Sequence, residues 1–233
     1  PKFYIKWVIR KAENVYSSSH YMKSHIFRFS GVRPKIASLR PDISYLLKDI
    51  KLKPFKKLRL VTIKSLDVIY GIDDFLDILD LIDKKYTCLL EYKIWGYGPL
   101  HLKLKDRIDN SDLSSFVSLC GRARQDQVTN ILSETDIMIS SSINESYGVS
   151  CLEACGMSVP ILARKIDSYR ESTCENINSI LLKMDTYNEK VIAANVLIDL
   201  IKNRSTLKLL KNNSIKLFTD AYNSNSYYSN YIL

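Results

Sequence analysis

Short apolar runs alternate with amphipathic stretches from residue 58 onward. A run such as "LRLVTI" is typical of a strand that is buried on both faces, whereas apolar residues recurring every three to four positions indicate a helix that packs with one face. The pattern predicts strands at residues 58–63, 87–95, 116–119, 136–140 and 159–163. It predicts helices at residues 71–86, 98–108, 125–135, 148–157 and about 188–211. This alternation predicts an α/β fold, with a Rossmann-like parallel sheet flanked by helices.

The first fifty residues follow another pattern, which predicts a helix, a short strand at residues 14–17, a turn and a second helix. We interpret them as the end of a preceding N-terminal domain, followed by a connector at residues 40–54. The predicted organisation is therefore residues 1–52 for that remnant and connector, 53–213 for the Rossmann-like domain, and 214–233 for a C-terminal helix or tail. Because the chain begins with Pro1, we expect a fragment of a longer protein.

The composition of the chain limits the classes of protein to which it can belong. The chain has 233 residues, of which 46% are hydrophobic, enough for one sizeable core. We find no apolar run of the ~18 residues that span a bilayer and no secretory signal, so we expect a cytoplasmic protein, at most at the inner face of the cell membrane. The five cysteines lack zinc-type spacing and the three histidines are scattered, so no metal site is predicted.

The net charge is +9, with a basic cluster at residues 48–59. Such an excess suits nucleic acid, an anionic membrane surface or a phosphorylated ligand. No helix-turn-helix, zinc finger or aromatic-basic RNA motif accompanies it, which argues against a nucleic-acid partner. An anionic membrane remains as a candidate peripheral partner.

The candidate chemistry lies in "SSSINESYGVSCLEACGMSVPILA", residues 140–163. Doubly wound folds bind ligands beyond the carboxyl ends of their strands, where the loop before Gly148 is predicted. A helix that opens at Gly148 offers free N–H groups to an anion, and glycine lets a phosphate come close. Glu145 and Glu153 flank this position and can accept hydrogen bonds from sugar hydroxyls. The pattern suggests a nucleoside diphosphate sugar; a cap residue and a solvated helix face would also explain it.

Five motifs in order resemble glycosyltransferase family 4, a retaining family with the GT-B fold, in its C-terminal nucleotide-sugar-binding domain. They are "IKSLDVIYGIDDFL", "IWGYGPLHLKL", "VSLCGRARQDQVTNILSETDIMISSS", "ESYGVSCLEA" and "VPILARKIDSYRE". "KAENVYSSSHYMKSHI" resembles the last strand and helix of the acceptor domain. The resemblance implies a hexosyltransferase that moves a sugar from a UDP- or GDP-sugar to a polysaccharide, lipopolysaccharide or glycolipid acceptor, with no metal or other cofactor.

The resemblance also implies roles for single residues. Glu153 would bind the ribose hydroxyls, and Glu145 would approach the donor sugar. The backbone amides of Tyr147, Gly148 and Val149 would hold the diphosphate. The loop with Gly121, Arg122 and Arg124 would lie near the base, and Gly98 is a further candidate for nucleotide-sugar binding. A plain turn before a helix would also explain Gly98, and solvated surface would also explain Arg122 and Arg124. Lys64 matches the first of two basic residues that stabilise the departing phosphate.

Some positions depart from the family pattern. The second basic position falls at Ile69 or Tyr70, neither of which is cationic. Asp167 and Ser168 stand where the family commonly has two glycines, although the acidic residue that ends that motif is present as Glu171. The acceptor domain's glycine-rich loop and histidine have no match, so we expect nucleotide binding but poor sugar transfer. A catalytically degenerate binding module or partner subunit is the alternative.

Overall fold

The computed structural model describes residues 1–37 and 56–223 of the chain. The strands in this part are β1 (Tyr16–Ser17), β2 (Lys35–Ile36), β3 (Leu58–Ile63), β4 (Leu90–Trp95), β5 (Val117–Gly121), β6 (Ile137–Ser140), β7 (Ile161–Arg164) and β8 (Ser179–Leu182). The helices are α1 (Lys2–Lys11), α2 (His20–Ser30), α3 (Ile72–Asp80), α4 (Lys84–Thr87), α5 (His101–Asp109), α6 (Gln125–Ser133), α7 (Val149–Gly156), α8 (Tyr187–Lys202) and α9 (Arg204–Asn223).

The main sheet has six parallel strands in the order β5-β4-β3-β6-β7-β8. The chain therefore runs outward from β3 through β4 to β5, then returns to the other side of β3 with β6. This reversal places the switch point of the sheet between β3 and β6, where doubly wound folds bind their ligands. The predicted Rossmann-like parallel sheet is confirmed.

Helices cover both faces of the sheet, and adjacent strand residues supply the two cores. Leu60 packs in a cluster with residues of α3, α5 and α8, whereas Val61 packs in another with residues of α6, α7 and α9. Successive side chains of a strand point to opposite faces, so a strand covered on both sides carries apolar side chains at adjacent positions as well as at alternating ones. This explains why "LRLVTI" marks β3 so clearly.

Two predicted helices are interrupted, and one strand was missed. The prediction of one continuous helix at residues 71–86 is wrong, because α3 ends at Asp80 and a separate short helix, α4, precedes β4. The helix predicted at 188–211 breaks at Asn203, whose side chain accepts hydrogen bonds from the backbone and side chain of Ser205 and so caps α9. β8 was not predicted, and α9 runs through residue 213, where a domain boundary was expected.

The N-terminal segment has the predicted order of a helix, a short strand, a turn and a second helix, with β2 added. β1 and β2 form their own two-stranded parallel sheet. The predicted connector at residues 40–54, most of the basic cluster at 48–59 and the end of the C-terminal tail lie outside the described residues. None of the helices described here is both long and apolar enough to cross a membrane.

Candidate functional site

The two residues predicted to act in catalysis lie in contact at the switch point. Lys64 follows β3, Glu145 lies in the loop after β6, and the Lys64 ammonium pairs with Glu145 Oε2. The two side chains are only 11% and 14% exposed. The ammonium also lies 5.5 Å from the centroid of the Tyr70 ring. Tyr70, which stands at one of the two positions where the family carries its second cation, therefore contacts the first one.

Gly148 is the N-cap of α7 and adopts a left-handed conformation, with φ at 77°. A Cβ atom at this position would lie 3.1 Å from the Tyr169 ring and 3.2 Å from Ser172 Oγ. Glycine is therefore favoured, because the backbone angle strains other residues and an added Cβ would need its neighbours to give by a few tenths of an ångström. The Cys151 N–H donates to the Gly148 carbonyl oxygen, whereas the N–H groups before it have no acceptor within the helix and so are suited to bind an anion.

The thiol of Cys151, in the first turn of α7, is influenced by several charged residues. Burial raises the pKa of the Cys151 thiol to about 11, and the charges of Lys64, Glu145 and Glu153 all influence it. Cys151 itself is fully buried. Glu145, which pairs with Lys64, lies three residues before the helix that opens at Gly148, and Glu153 lies on this helix.

Two buried tyrosines support the loop on the protein side. Burial, together with the charge of Glu171, raises the pKa of Tyr147 to about 12. Tyr169 is completely buried beneath Gly148, and its hydroxyl contacts that of Ser140 at the end of β6. Both phenols are neutral at physiological pH, so they act as packing and hydrogen-bonding groups.

Glu153 faces the loop that was predicted to lie beside the base. It is half-buried on α7 and accepts a hydrogen bond of 3.2 Å from Gln125 Nε2. Gln125 is the first residue of α6 and directly follows the loop at residues 121–124. Glu153, which is predicted to bind the ribose, and the loop that is predicted to lie near the base are thus neighbours.

A groove of about 360 Å³ opens beside Lys64 at the carboxyl ends of β3, β4 and β5; its lining residues are Ile63, Lys64, Ser65, Trp95, Gly96, Tyr97, Arg122 and Ala123. The Arg122 guanidinium lies 5.7 Å from the centroid of the Tyr97 ring. A groove lined by aromatic rings and a guanidinium is a suitable surface for a planar nucleotide base.

Three other predicted residues do not line this groove. Arg124 is exposed, pairs with Asp126 at 3.0 Å and precedes α6, so its visible role is structural. A Cβ on Gly98 would lie 2.5 Å from the carbonyl oxygen of Leu66, so Gly98 allows two loops to approach. Gly121 adopts a φ of 75° at the end of β5 and accepts a hydrogen bond from the Gly96 amide.

Arg164 is a site-proximal residue that sequence reasoning missed. It ends β7, is 3% exposed, and donates a 2.9 Å hydrogen bond to the carbonyl oxygen of Ser141. It also pairs with Asp74 on α3 and with Asp185. Arg164 therefore fixes the start of the Glu145 loop against α3. An arginine after the apolar run "VPILA" was the available signal.

No cluster of three or more histidine, cysteine or acidic side chains suited to a metal ion occurs within residues 1–37 and 56–223. The metal-independent reaction stays a prediction.

Comparison with known proteins identifies the family. A model of the family described as "Glycosyl transferases group 1" matches residues 46–217, about three quarters of the chain. The chain belongs to this family. Its fold is that of GT-B glycosyltransferases, as the similarity to solved structures shows.

Three relatives illustrate the range of similarity. The chain is 26% identical over 130 residues to the amylovoran biosynthesis glycosyltransferase AmsK of Erwinia amylovora, covering 53% of this chain and 32% of AmsK. It is 24% identical over 162 residues to one of the subunits of the human phosphatidylinositol N-acetylglucosaminyltransferase, covering 68% and 33%. The crystal structure of HepE from Anabaena in complex with UDP and glucose superposes with a TM-score of 0.75 at 17% identity, covering 91% of this chain and 59% of HepE. The chain spans about a third of the length of these two curated relatives.

Proposed function

We propose that this family member is the nucleotide-sugar-binding part of a retaining, metal-independent hexosyltransferase. The donor would be a UDP- or GDP-sugar, and the acceptor a polysaccharide, lipopolysaccharide or glycolipid. The observation that supports this most directly is the contact of Lys64 with Glu145 beside the glycine-opened helix α7. It combines a cation for a diphosphate, an N-terminal helix site for its oxygens and a carboxylate for a sugar.

The neighbouring contacts suggest how the donor would lie. The amides of Tyr147, Gly148 and Val149 would hold the diphosphate. Glu153 would accept hydrogen bonds from the ribose hydroxyls. The base would then enter the groove bounded by Tyr97 and Arg122, which lies beside Lys64.

In the transfer step, the bond between the anomeric carbon and the diphosphate oxygen breaks. A new bond forms to an acceptor hydroxyl, whose proton is released. Negative charge grows on the departing diphosphate, and a fixed ammonium at Lys64 would stabilise it. Phosphate oxygens of the donor would compete with Glu145 for the Lys64 ammonium. The Glu145 carboxylate, released from Lys64, would then lie close to the donor sugar.

The relatives support the donor and acceptor classes. HepE was solved with UDP and glucose, and the human relative is named for N-acetylglucosamine transfer to phosphatidylinositol. AmsK is named for the biosynthesis of a polysaccharide, amylovoran. We therefore expect UDP as the nucleotide and a glycan or lipid-linked acceptor, with action at the cytoplasmic face of the membrane. Co-sedimentation with anionic vesicles that decreases with salt would support this location, and no association at low salt would contradict it.

One observation favours a second candidate, a nucleotide-sugar-binding module without catalysis. Neither Ile69 nor Tyr70 supplies a second cation, and Lys64 already contacts Glu145 and the Tyr70 ring. A missing cation at the transition state costs about 3 kcal/mol, or roughly a hundredfold in rate. This candidate predicts that the protein binds the nucleotide with ordinary affinity. It also predicts that neither sugar transfer nor hydrolysis of the donor is detectable, even in the full-length protein.

A thermal-shift panel with UDP, GDP and ADP tests the binding function that both candidates share. A ligand at a hundred times its dissociation constant stabilises by about 2.7 kcal/mol, or about 5–10 °C for a domain of this size. We expect a shift with UDP that Glu153→Ala reduces. Glu175→Ala, which removes an exposed partner of Lys165, is the matched control and should leave the shift intact. No shift with any nucleotide, or an equal shift in Glu153→Ala, would contradict the assigned site.

A further inference from the structure

Glu171 makes an unusual contact with a distant part of the chain. It ends the 3-10 turn Asp167–Glu171 that follows β7. Its Oε2 accepts a 2.7 Å hydrogen bond from the backbone N–H of His20, and its Oε1 accepts one from the N–H of Tyr21. These are the first two residues of α2, about 150 positions earlier in the chain.

The contact completes the N-terminus of α2. The first N–H groups of a helix lack partners within it, and a carboxylate there is favoured by the helix dipole. The first turn of α2 contains no acidic residue of its own. Glu171 therefore supplies from the nucleotide-sugar-binding domain the negative charge that helices often carry locally.

A second contact joins the same helix end to the Glu145 loop. Ser19, the N-cap of α2, accepts a hydrogen bond from Met22 N and donates one of 2.9 Å to the carbonyl oxygen of Ser146. Ser146 lies between Glu145 and Tyr147. The N-terminus of α2 is thus bonded to both loops that build the phosphate side of the site.

The turn that carries Glu171 also shapes this phosphate side. Tyr169 belongs to the turn and Ser172 follows it, and they lie 3.1 and 3.2 Å from the position that a Cβ on Gly148 would occupy. The charge of Glu171 also acts on the Tyr147 phenol. A displacement of Glu171 would therefore reach the residues on either side of the α7 N-terminus.

We propose that Glu171 is a positioning residue that fastens α2 to the nucleotide site and couples this attachment to nucleotide binding. The coupling rests on the proposed function, because it requires the diphosphate to engage the loop whose Ser146 carbonyl holds Ser19. Coupling between two sites is reciprocal: if an attached α2 favours nucleotide binding, bound nucleotide tightens the attachment by the same factor. Each oxygen of Glu171 already accepts an N–H, so the residue acts through α2 and the loops and does not need to touch the donor.

Hydrogen exchange of the 233-residue chain, with and without saturating UDP, tests the coupling. In the wild type, UDP should slow exchange of the first turn of α2 by about five- to tenfold. In Glu171→Ala, exchange there should be fast and independent of UDP, and the UDP dissociation constant should rise by about the same five- to tenfold. Glu171→Gln keeps one acceptor oxygen and should fall between the two.

Asp167→Asn is the matched control, because Asp167 lies in the same turn but pairs with Arg170 at the exposed surface. It should behave as the wild type. Should Glu171→Ala fail to fold, Ser19→Ala removes the second contact and should also weaken the response of α2 to UDP. A wild-type chain that binds no nucleotide contradicts the proposed function and the coupling with it. Equal UDP affinity and equal protection of α2 in the wild type and Glu171→Ala contradict the coupling alone.

Discussion

The central strands β3 and β6 carry buried charges at both of their ends, and the two ends are built differently. At the amino ends, Asp136 accepts hydrogen bonds from the backbone N–H and side chain of Arg59, at 3.0 and 3.2 Å, and from Lys211 at 2.7 Å. At the carboxyl ends, Lys64 pairs with Glu145. One end thus surrounds a carboxylate with cations, whereas the other places a single cation beside a single carboxylate.

We propose that the two ends differ in their roles, the amino end serving stability and the carboxyl end ligand binding. Arg59 lies in β3 and Lys211 in α9, so the amino-end cluster joins elements of the framework and has no loop residue besides Asp136, which directly precedes β6. Lys64 and Glu145 both lie in loops after strands, beside a helix N-terminus. The proposed binding of an anionic ligand therefore concerns the carboxyl end, where Lys64 lines a groove, whereas the amino-end cluster joins elements of the framework.

The largest expected effect is on stability, from Asp136→Asn. It leaves Lys211, which is almost fully buried, without its carboxylate, and breaking a buried pair from one side costs about 3–5 kcal/mol. Urea denaturation should show this loss, while the UDP dissociation constant of the folded variant changes less than about twofold. Glu175→Gln, at an exposed ion pair, should change stability by less than about 1 kcal/mol. A stable Asp136→Asn variant with impaired UDP binding would mean that Asp136 serves ligand binding and not the stability of the fold.

Acid should weaken the amino end in the same way. Burial alone would raise the pKa of Asp136, but hydrogen bonds and charge from Lys211 and Arg59 hold it below its usual value. A carboxyl group with a lowered folded-state pKa stabilises the fold above its unfolded pKa, about 3.9, and loses this contribution as pH falls through the folded value. The wild type should thus lose stability below about pH 4 more steeply than Asp136→Asn. Parallel pH curves for the two would exclude this role.

At the carboxyl end, Gly148→Ala should have the next largest effect. The substitution forces a positive φ on alanine, at a cost of about 1–2 kcal/mol, and also pushes its Cβ against Tyr169 and Ser172. Gly121→Ala is a matched control, since Gly121 has a similar φ with no atom within 4 Å of the added Cβ. UDP titration should show a loss of binding in Gly148→Ala well beyond that in Gly121→Ala. Equal losses would mean that only backbone strain matters.

Lys64→Met should weaken UDP binding at least about tenfold, because a hydrogen bond to a charged group contributes about 1.5–3 kcal/mol. Uridine, which lacks the diphosphate, should bind the wild type and Lys64→Met with equal affinity. Lys93→Met is the control, since Lys93 pairs with Glu91 within β4, away from the carboxyl edge. Equal losses for UDP and uridine would place Lys64 outside the phosphate site.

The smallest effect is expected in the open groove, from Arg122→Ala. A cation–π contact at an exposed site contributes about 0.5–1 kcal/mol, or two- to fivefold in affinity. UDP and uridine should lose affinity equally, in contrast to Lys64→Met. A loss confined to UDP would assign Arg122 to the diphosphate.

Sequence reasoning predicted most of the sheet because its strands are short apolar runs covered on both faces. It failed where local side chains end or cap helices, as at Asn203. It also missed β8, a four-residue strand that carries little periodic signal.

At the site, sequence reasoning identified Lys64 and Glu145 but not their contact, since 81 residues separate them. Arg164 and the bonds of Glu171 to α2 were missed for the same reason. Such contacts follow from the strand order, which a single sequence does not specify. The placement of Arg124 outside the groove likewise depends on a local ion pair with Asp126.

We propose that the carboxyl ends of β3 and β6 bind a nucleoside diphosphate, whereas their amino ends only stabilise the fold. The most direct test is the UDP-induced thermal shift of the wild type, Lys64→Met and Asp136→Asn, measured side by side. We expect a shift of about 5–10 °C in the wild type at a UDP concentration of a hundred times the dissociation constant. Asp136→Asn should keep this shift from a lower starting temperature, and Lys64→Met should lose most of it. A shift that survives in Lys64→Met and disappears in folded Asp136→Asn would place the nucleotide site at the amino ends of these strands instead.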